Sequence, residues 1–401
     1  MNVILIGIFA DERLIPKINA LSNASSLVSI SAIKYSKLIY DGLKMHLGNN
    51  CVGFFLAPIG MYPNAKTLIF LSRKIDSYYY IPFVNIIILK QISIAISVTF
   101  FVARWYFHNR GEKVAIIFTS LYLPFLVPFI FLKWITNIKL ISFVPDLPQY
   151  EFFYAKNKLS IKKLLLPLYL MAMKISYNII DYYVFISKYM LSKFNIINYS
   201  IIEGFIDSNA NNYYHNNRSH KKKNVILYSG ALLEKFGLKN LIEAFTLIDG
   251  DYELWVFGSG EMEEAIMRAA KMDQRIKNWG YVSNEEVLRH QINAKILVNP
   301  RFTSQDFTQY SFPSKLLEYL SSGTPVLTTR LESIPDDYTD KFYFIDDESV
   351  AGMKSAIERC ISKPEEELTL FGKNAQDFVF NNKNNFEQIG KLLKEIDILW
   401  S

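Results

Sequence analysis

Residues Tyr310–Val326 read YSFPSKLLEYLSSGTPV, and their types and spacing suit the binding of an anion. Proline is favoured at the first position of a helix, so Pro313 marks a start, with Ser311 just upstream as a cap. A helix N-terminus presents free backbone N–H groups and a partial positive charge, which together hold phosphate. Lys315 adds a formal charge there. Ser314 and Glu318 are four apart and share a face. Leu316, Leu317 and Leu320 fall on the opposite side, where they would pack on a sheet. A carboxylate one turn inside such a helix can accept hydrogen bonds from two adjacent ribose hydroxyls, so a nucleoside diphosphate fits the stretch. The competing reading is an ordinary helix with a solvated Glu and Lys.

The elements that must position this helix alternate along the whole chain. ILVNP before it and PVLTT after it read as strands. Upstream, VILIGIF, VAIIFTS, KLISFVPDLP and DYYVFIS are strand-like. Helical stretches are expected between them: an amphipathic one ending at Gly48, and others near 84–108, 122–136 and 161–178, with a short KYMLSKF helix after DYYVFIS. The pattern restarts with VILYSGAL, a helix at 238–247, ELWVFGSG, a helix at 261–271, a short strand at IKNWGYV and a helix at 284–292. Residues 208–224, SNANNYYHNNRSHKKKN, are polar and without period, and read as a linker or surface loop. Two sets of βα units imply two doubly wound domains, 1–207 and 225–385, followed by a C-terminal helix at 386–401 that would cross back to the first domain. Ligands of such sheets bind at the carboxyl ends of the strands. At 401 residues, two domains of ordinary size are the natural expectation.

Cys51 and Cys360 suggest neither a disulfide framework nor a zinc site. The five histidines show no ligand spacing, and His215 and His220 fall in the polar stretch. MNVILIGIFADERL lacks a basic region before its apolar run and reads as a first strand, not a secretion signal. Asp249-Gly250-Asp251 reads as a turn, where Asp-Gly is common for conformational reasons, and not as a metal site. Gly258-Ser259-Gly260 before a helix would let backbone N–H groups approach phosphate, although a tight turn explains it nearly as well. It lacks the third glycine of a dinucleotide fingerprint. Asp146 lies at a strand's carboxyl end, where it either binds a hydroxyl or caps a turn.

Charge is unevenly distributed. Residues 1–200 hold 21 Lys+Arg against 8 Asp+Glu, and the remainder 23 against 30, giving the net +6. The basic first half is also rich in apolar runs, such as LPFLVPFIFL before Lys133 and LLLPLYLMAM after Lys162 and Lys163. No nucleic-acid-binding pattern is present, so an anionic membrane surface is the expected partner. Residues 81–107 are apolar, but Lys90 and Arg104 interrupt them. The longest charge-free piece, Gln91–Ala103, is shorter than a bilayer requires, so buried helices and strands with one face on lipid are expected, a true membrane span being the alternative.

With these residues in view, the second half resembles the nucleotide-sugar domain of the GT-B glycosyltransferases, specifically glycosyltransferase family 4. Four pieces occur in family order: YSGALLEKFGLKNLIEAF, ELWVFGSGEMEEAI, NWGYVSNEEVLRHQINAKILVNPR and YSFPSKLLEYLSSGTPVLTTRLESIP. SAIKYSKLIYDGL, FVPDLPQY and DYYVFISKYM loosely resemble acceptor-domain segments of polysaccharide-building members. The resemblance implies an α/β fold of the GT-B kind, two Rossmann-like domains facing a central cleft. It implies donor-nucleotide binding by Gly230, Lys235, Gly258, Ser259, Gly260, Tyr281, Val282, Ser314, Lys315 and Glu318, with Tyr281 and Val282 presenting backbone to the base.

Two departures from the family pattern stand out. Members commonly have two glutamates seven residues apart; Glu318 matches the second, which binds ribose, and Tyr310 occupies the place of the first, which contacts the donor sugar. Tyr310, Ser311, Phe312 and Pro313 are thus the sugar-proximal segment. The arginine of the first loop is replaced by Ala231, and Lys235 sits one residue early. Arg301 is the candidate replacement charge. Asp146, Lys235 and Arg301 are the expected catalytic residues. The resemblance implies retention of anomeric configuration, no metal or other cofactor, and a lipid-linked glycan acceptor at the inner face of the cytoplasmic membrane, in capsule, exopolysaccharide or lipopolysaccharide assembly. A non-catalytic nucleotide-binding subunit and a nucleotide-sugar epimerase remain as alternatives.

Overall fold

The computed structural model describes residues 1–11, 13–16, 18, 30–109, 111–147, 171–194, 196–216 and 222–400. The chain divides into two compact units, Met1–Phe205 with Asn385–Ser401, and Ile206–Asn384.

Short runs of β-branched and aromatic residues build the first unit's sheet. VAIIF is buried at every position, as expected of a parallel strand covered on both faces. The strands are β1 (Asn2–Ile8), β2 (Cys51–Leu56), β3 (Ile69–Phe70), β4 (Arg73–Ile75), β5 (Tyr78–Tyr80), β6 (Phe83–Val84), β7 (Val114–Phe118), β8 (Lys139–Val144), β9 (Tyr182–Phe185) and β10 (Tyr199–Ile201). Eight of them form one sheet in the order β10-β9-β8-β7-β1-β2-β5-β4, while β3 and β6 form a separate ladder. Pairing in the large sheet is parallel except for β4 on β5. The Asn385–Asp397 helix belongs to this unit. It packs along the Ile30–Leu47 helix, buries Ile389, Leu392 and Ile396, and its Asn385 amide donates to the Leu38 carbonyl at 3.1 Å.

The second unit has six parallel strands: β11 (Val225–Ser229), β12 (Glu253–Phe257), β13 (Ile276–Gly280), β14 (Ile296–Asn299), β15 (Val326–Thr329) and β16 (Tyr343–Ile345). Their order is β13-β12-β11-β14-β15-β16, so chain progression reverses between β11 and β14. Two apolar clusters line the sheet. One packs Leu241 and Phe245 of the Leu238–Thr246 helix against β11 and β12. The other packs Leu316, Leu317 and Leu320 of the Ser314–Ser321 helix beneath β11, β14 and β15.

Several expectations need revision. The helix expected at 122–136 is two pieces, Leu123–Leu126 and Phe129–Ile135, because Pro128 starts the second instead of continuing the first. KYMLSKF is a 3₁₀ segment, Lys188–Lys193. Of the expected 161–178 helix, residues 171–178 are helical and the remainder lies outside the described residues, as do Lys162, Lys163 and His220. The polar stretch after 207 begins with a 3₁₀ turn, Ser208–Ala210, and a helix, Asn211–Asn216, both within the second unit. Tyr214, 6% exposed, anchors that helix, which the asparagines around it conceal in the sequence. The charges in 87–108 do not interrupt a 22-residue helix, Ile87–His108, because Lys90 turns inward and donates to the Ile59 carbonyl at 2.7 Å.

Candidate active site in the second unit

Chain progression reverses between β11 and β14, and the carboxyl ends of strands at such a reversal are where doubly wound sheets bind ligands. β11 leads into the Gly230–Gly237 loop, and β14 into Pro300 and Arg301. A 3₁₀ turn, Glu234–Phe236, sets Lys235 and Phe236 in that loop. The Arg301 guanidinium lies 4.3 Å over the Phe236 ring, and the Lys235 ammonium lies 5.6 Å from the same ring and 5.0 Å from Phe307. Arg301 has no ion pair among the described residues. Burial lowers its pKa, with only the Tyr228 phenol acting in the opposite sense. A desolvated cation without a carboxylate is costly unless an anion arrives to meet it.

Glu318 is held from two sides. Its Oε1 accepts from the Lys315 ammonium at 2.7 Å and from the Gln291 amide at 2.9 Å. The same amide donates to the Ser229 hydroxyl at 2.9 Å, and Tyr319 grips Ser229 through its N–H at 2.7 Å and its carbonyl at 3.0 Å. Ser229 ends β11, Gln291 lies on the Asn284–Asn293 helix and Glu318 on Ser314–Ser321, so three elements converge on one carboxylate. Gln291 is fully buried and its Oε1 has no partner. Turning the amide over would set that oxygen against the Glu318 carboxylate oxygen and lose the hydrogen bond. Tyr214 is a further neighbour: burial first, then the Glu318 charge, raises its phenol pKa.

These partners were missed in the sequence. Gln291 sits in NEEVLRHQIN, which looks solvated; the faint signal is its i,i+4 spacing from Val287, the two residues sharing the buried face. Ser314 and Lys315 stand at the helix start as expected, with Ser314 exposed. The start itself is shifted. Pro313 is the extended cap residue at φ −68° and ψ 103°, the helix begins at Ser314, and no side chain caps it. Ser311 is not the cap; its carbonyl accepts from the Ser333 hydroxyl at 3.2 Å.

The glycines act differently from expectation. The Gly230 N–H donates to Phe257 at 3.0 Å, that of Gly258 to Gly280 at 2.8 Å, and that of Gly260 to the Glu263 carboxylate at 3.0 Å. These three glycine N–H groups are committed within the protein, so of the Gly258-Ser259-Gly260 turn the glycines supply shape rather than phosphate donors. A Cβ on Gly258, whose φ is +130°, would lie 1.8 Å from the Gly230 carbonyl oxygen. Glycine here lets the ends of β11 and β12 close on each other.

At the sugar end, Tyr310 closes a 3₁₀ turn, Asp306–Tyr310. Phe312 is not in the site; it is 4% exposed and packs against Tyr338 in the core, 5.6 Å between ring centroids. At the base end, Tyr281 follows β13 and is exposed, while Val282 packs on the core cluster beneath it.

In the first unit, Asp146 follows β8 at its carboxyl end. Its side chain keeps an open edge, yet desolvation by the surrounding protein raises its pKa. Nearby, the Tyr35 phenol is raised by its own burial, then by Asp146 and Glu203, and its oxygen is buried without a hydrogen-bond partner.

Residues 211–378 match the family model described as "Glycosyl transferases group 1". A 117-residue segment is 29% identical to the amylovoran biosynthesis glycosyltransferase AmsK of Erwinia amylovora, covering 28% of this chain and 29% of that relative. Over the whole length, the structure is similar to sucrose-phosphate synthase from Thermosynechococcus elongatus, with TM-score 0.63, 14% identity and 100% coverage of both chains. It is similar also to Anabaena HepE solved in complex with UDP, with TM-score 0.60 and 12% identity over 98% of this chain and 100% of that one. The fold is that of the GT-B glycosyltransferases, and its second unit carries the segment matched by the group 1 family.

Proposed function

We propose that the protein is a glycosyltransferase of family 4 type that moves a sugar, with retention, from a nucleoside-diphosphate sugar to a lipid-linked glycan acceptor in cell-surface polysaccharide assembly. The observation that carries this reading is a prepositioned carboxylate, Glu318, together with a half-buried cation, Arg301, that has no counter-ion among the described residues, on the elements that follow and flank β11 and β14. The first suits ribose hydroxyls and the second a diphosphate. The UDP named with HepE and the polysaccharide named with AmsK are consistent with both halves of the reading.

The chemistry follows from the parts. The bond from the anomeric carbon to the β-phosphate oxygen breaks while the acceptor oxygen bonds to the same face of that carbon. The acceptor proton passes to the departing phosphate oxygen. Arg301, Lys235 and the helix start at Ser314 meet the charge that grows on the diphosphate, an electrostatic contribution that is large in a site sheltered from water. Lys315 can turn from Glu318 to the phosphate once ribose hydroxyls take its place. Asp146 is assigned to acceptor hydroxyls.

The test uses the purified protein with a panel of nucleoside diphosphates and their sugars. One nucleotide should raise the melting temperature, since a ligand of the native state adds to its stability. Glu318→Ala should abolish that shift and lower sugar transfer by at least tenfold. Undiminished transfer by Glu318→Ala sinks the reading. Tyr310, where a sugar-contacting glutamate is expected, favours the second reading of a nucleotide-binding subunit; a thermal shift without any sugar release would establish it.

A further inference from the structure

The first unit carries an apolar helix that it covers on one side only. Along Ile87–His108, Lys90, Ile94, Val98 and Val102 recur every four residues and are buried. Roughly half a turn away lie Leu89, Ile92, Ile96, Phe100 and Phe107, between 48% and 63% exposed. A surface helix normally turns a polar face to water, and a helix apolar all round is normally buried. This one is neither. The hydroxyls that might hydrate it are engaged: Ser97 donates to the Pro82 carbonyl and Thr99 to that of Ala95, each at 2.8 Å, and Ser93 to that of Lys90 at 3.1 Å. No carboxylate lies in the helix.

The surroundings continue the pattern. The β3–β6 ladder, whose strand β6 packs on this helix, exposes Ile69 at 56%, and Leu71 just after β3 is 75% exposed. Elsewhere in the same unit, the Phe129–Ile135 helix exposes Phe131, Trp134 and Ile135 at 73%, 87% and 74%. Residues 60–140 hold nine Lys and Arg against two Asp and Glu; Lys90 faces inward and Lys113 and Lys133 pair with Asp397 and Asp181, but Lys66, Arg73 and Lys74 are exposed, as is Arg104 on the flank of the outer face. Apolar side chains, an exposed tryptophan and a surplus of cations are the chemistry of a headgroup–acyl boundary over anionic lipid.

We infer that the outer face of Ile87–His108 lies in the plane of an anionic bilayer surface and docks the first unit there. At 22 residues the helix is about 33 Å long and matches a bilayer in length and apolarity. Ile94, Val98 and Val102, each 0% exposed, nevertheless fasten it to the unit's own core, so lipid can reach only one side. This docking rests on the helix and not on the transferase reading, though it would bring a lipid-linked acceptor within reach of the same unit.

The experiment is flotation of the full chain with vesicles of phosphatidylcholine alone or mixed with phosphatidylglycerol. The chain should float with the mixed vesicles, and salt should weaken its binding. Ile96→Glu with Phe100→Glu should reduce bound protein at least tenfold. Both positions are exposed, so the melting temperature should be retained, and Ile96→Gln with Phe100→Gln serves as a second, uncharged variant. Protein that stays in the aqueous fraction with both vesicle types overturns the proposal. So does undiminished binding by both variants. A stable dimer in solution that either variant dissociates would also overturn it, by showing that a second copy covers the face.

Discussion

Arg301 illustrates a residue held in readiness at a cost to the fold. A half-buried guanidinium stacked on Phe236, without a carboxylate, destabilises the ligand-free protein. Arg301→Met keeps the stacking volume and removes the charge. It should leave the melting temperature unchanged or higher while weakening nucleoside-diphosphate binding at least tenfold, the usual trade between stability and function. Calorimetric titration beside a thermal melt checks both halves; affinity within twofold of the parent would remove Arg301 from the site. Glu318, Ser314 and Lys315 were legible in the sequence because a single helix sets their spacing. Gln291 and Ser229 were not, because Gln291 meets Glu318, and Ser229 meets Gln291, only when three elements distant in sequence pack together.

At the scale of elements, the loops that follow β11 and β12 approach each other closely at Gly258 and Gly230. Gly258 and Gly280 both have positive φ, but only Gly258 faces backbone; a Cβ on Gly280 meets open space. Gly280→Ala should therefore cost about 1 kcal/mol, the conformational penalty alone. Gly258→Ala adds a collision with the Gly230 carbonyl oxygen, should cost at least ~3 kcal/mol and should abolish nucleotide binding. Equal melting temperatures for the two variants would show that this approach is not needed. The glycine pair was visible as a motif. The glycines' own N–H groups were not legible, because a list of residues does not say where each N–H donates, and here those of Gly230, Gly258 and Gly260 are spent on neighbouring segments.

At the scale of the molecule, the chain leaves its first unit, builds the second, and returns. The Asn385–Asp397 helix buries Ile389, Leu392 and Ile396 within the first unit. Leu392→Ala should thus cost about 2–5 kcal/mol, as large-to-small changes in a core do. The loss should fall on the first unit: hydrogen exchange should accelerate in β1, β2 and the Ile30–Leu47 helix while β11–β16 keep their protection. Acceleration confined to the second unit would contradict this assignment.

The sequence alone determined the alternation of strands and helices, the GT-B fold and the helix that carries Glu318, because each is written in local periodicity and in the order of short motifs. It also showed the basic, apolar character of the first half. Only the tertiary structure decided what surrounds each of those residues. It turned Lys90 inward and left Ile96 and Phe100 outside, seated Tyr214 beside Glu318, moved Phe312 into the core, and set Arg301 over Phe236. Such placements depend on which faces of separate elements meet, and no spacing along one element records that.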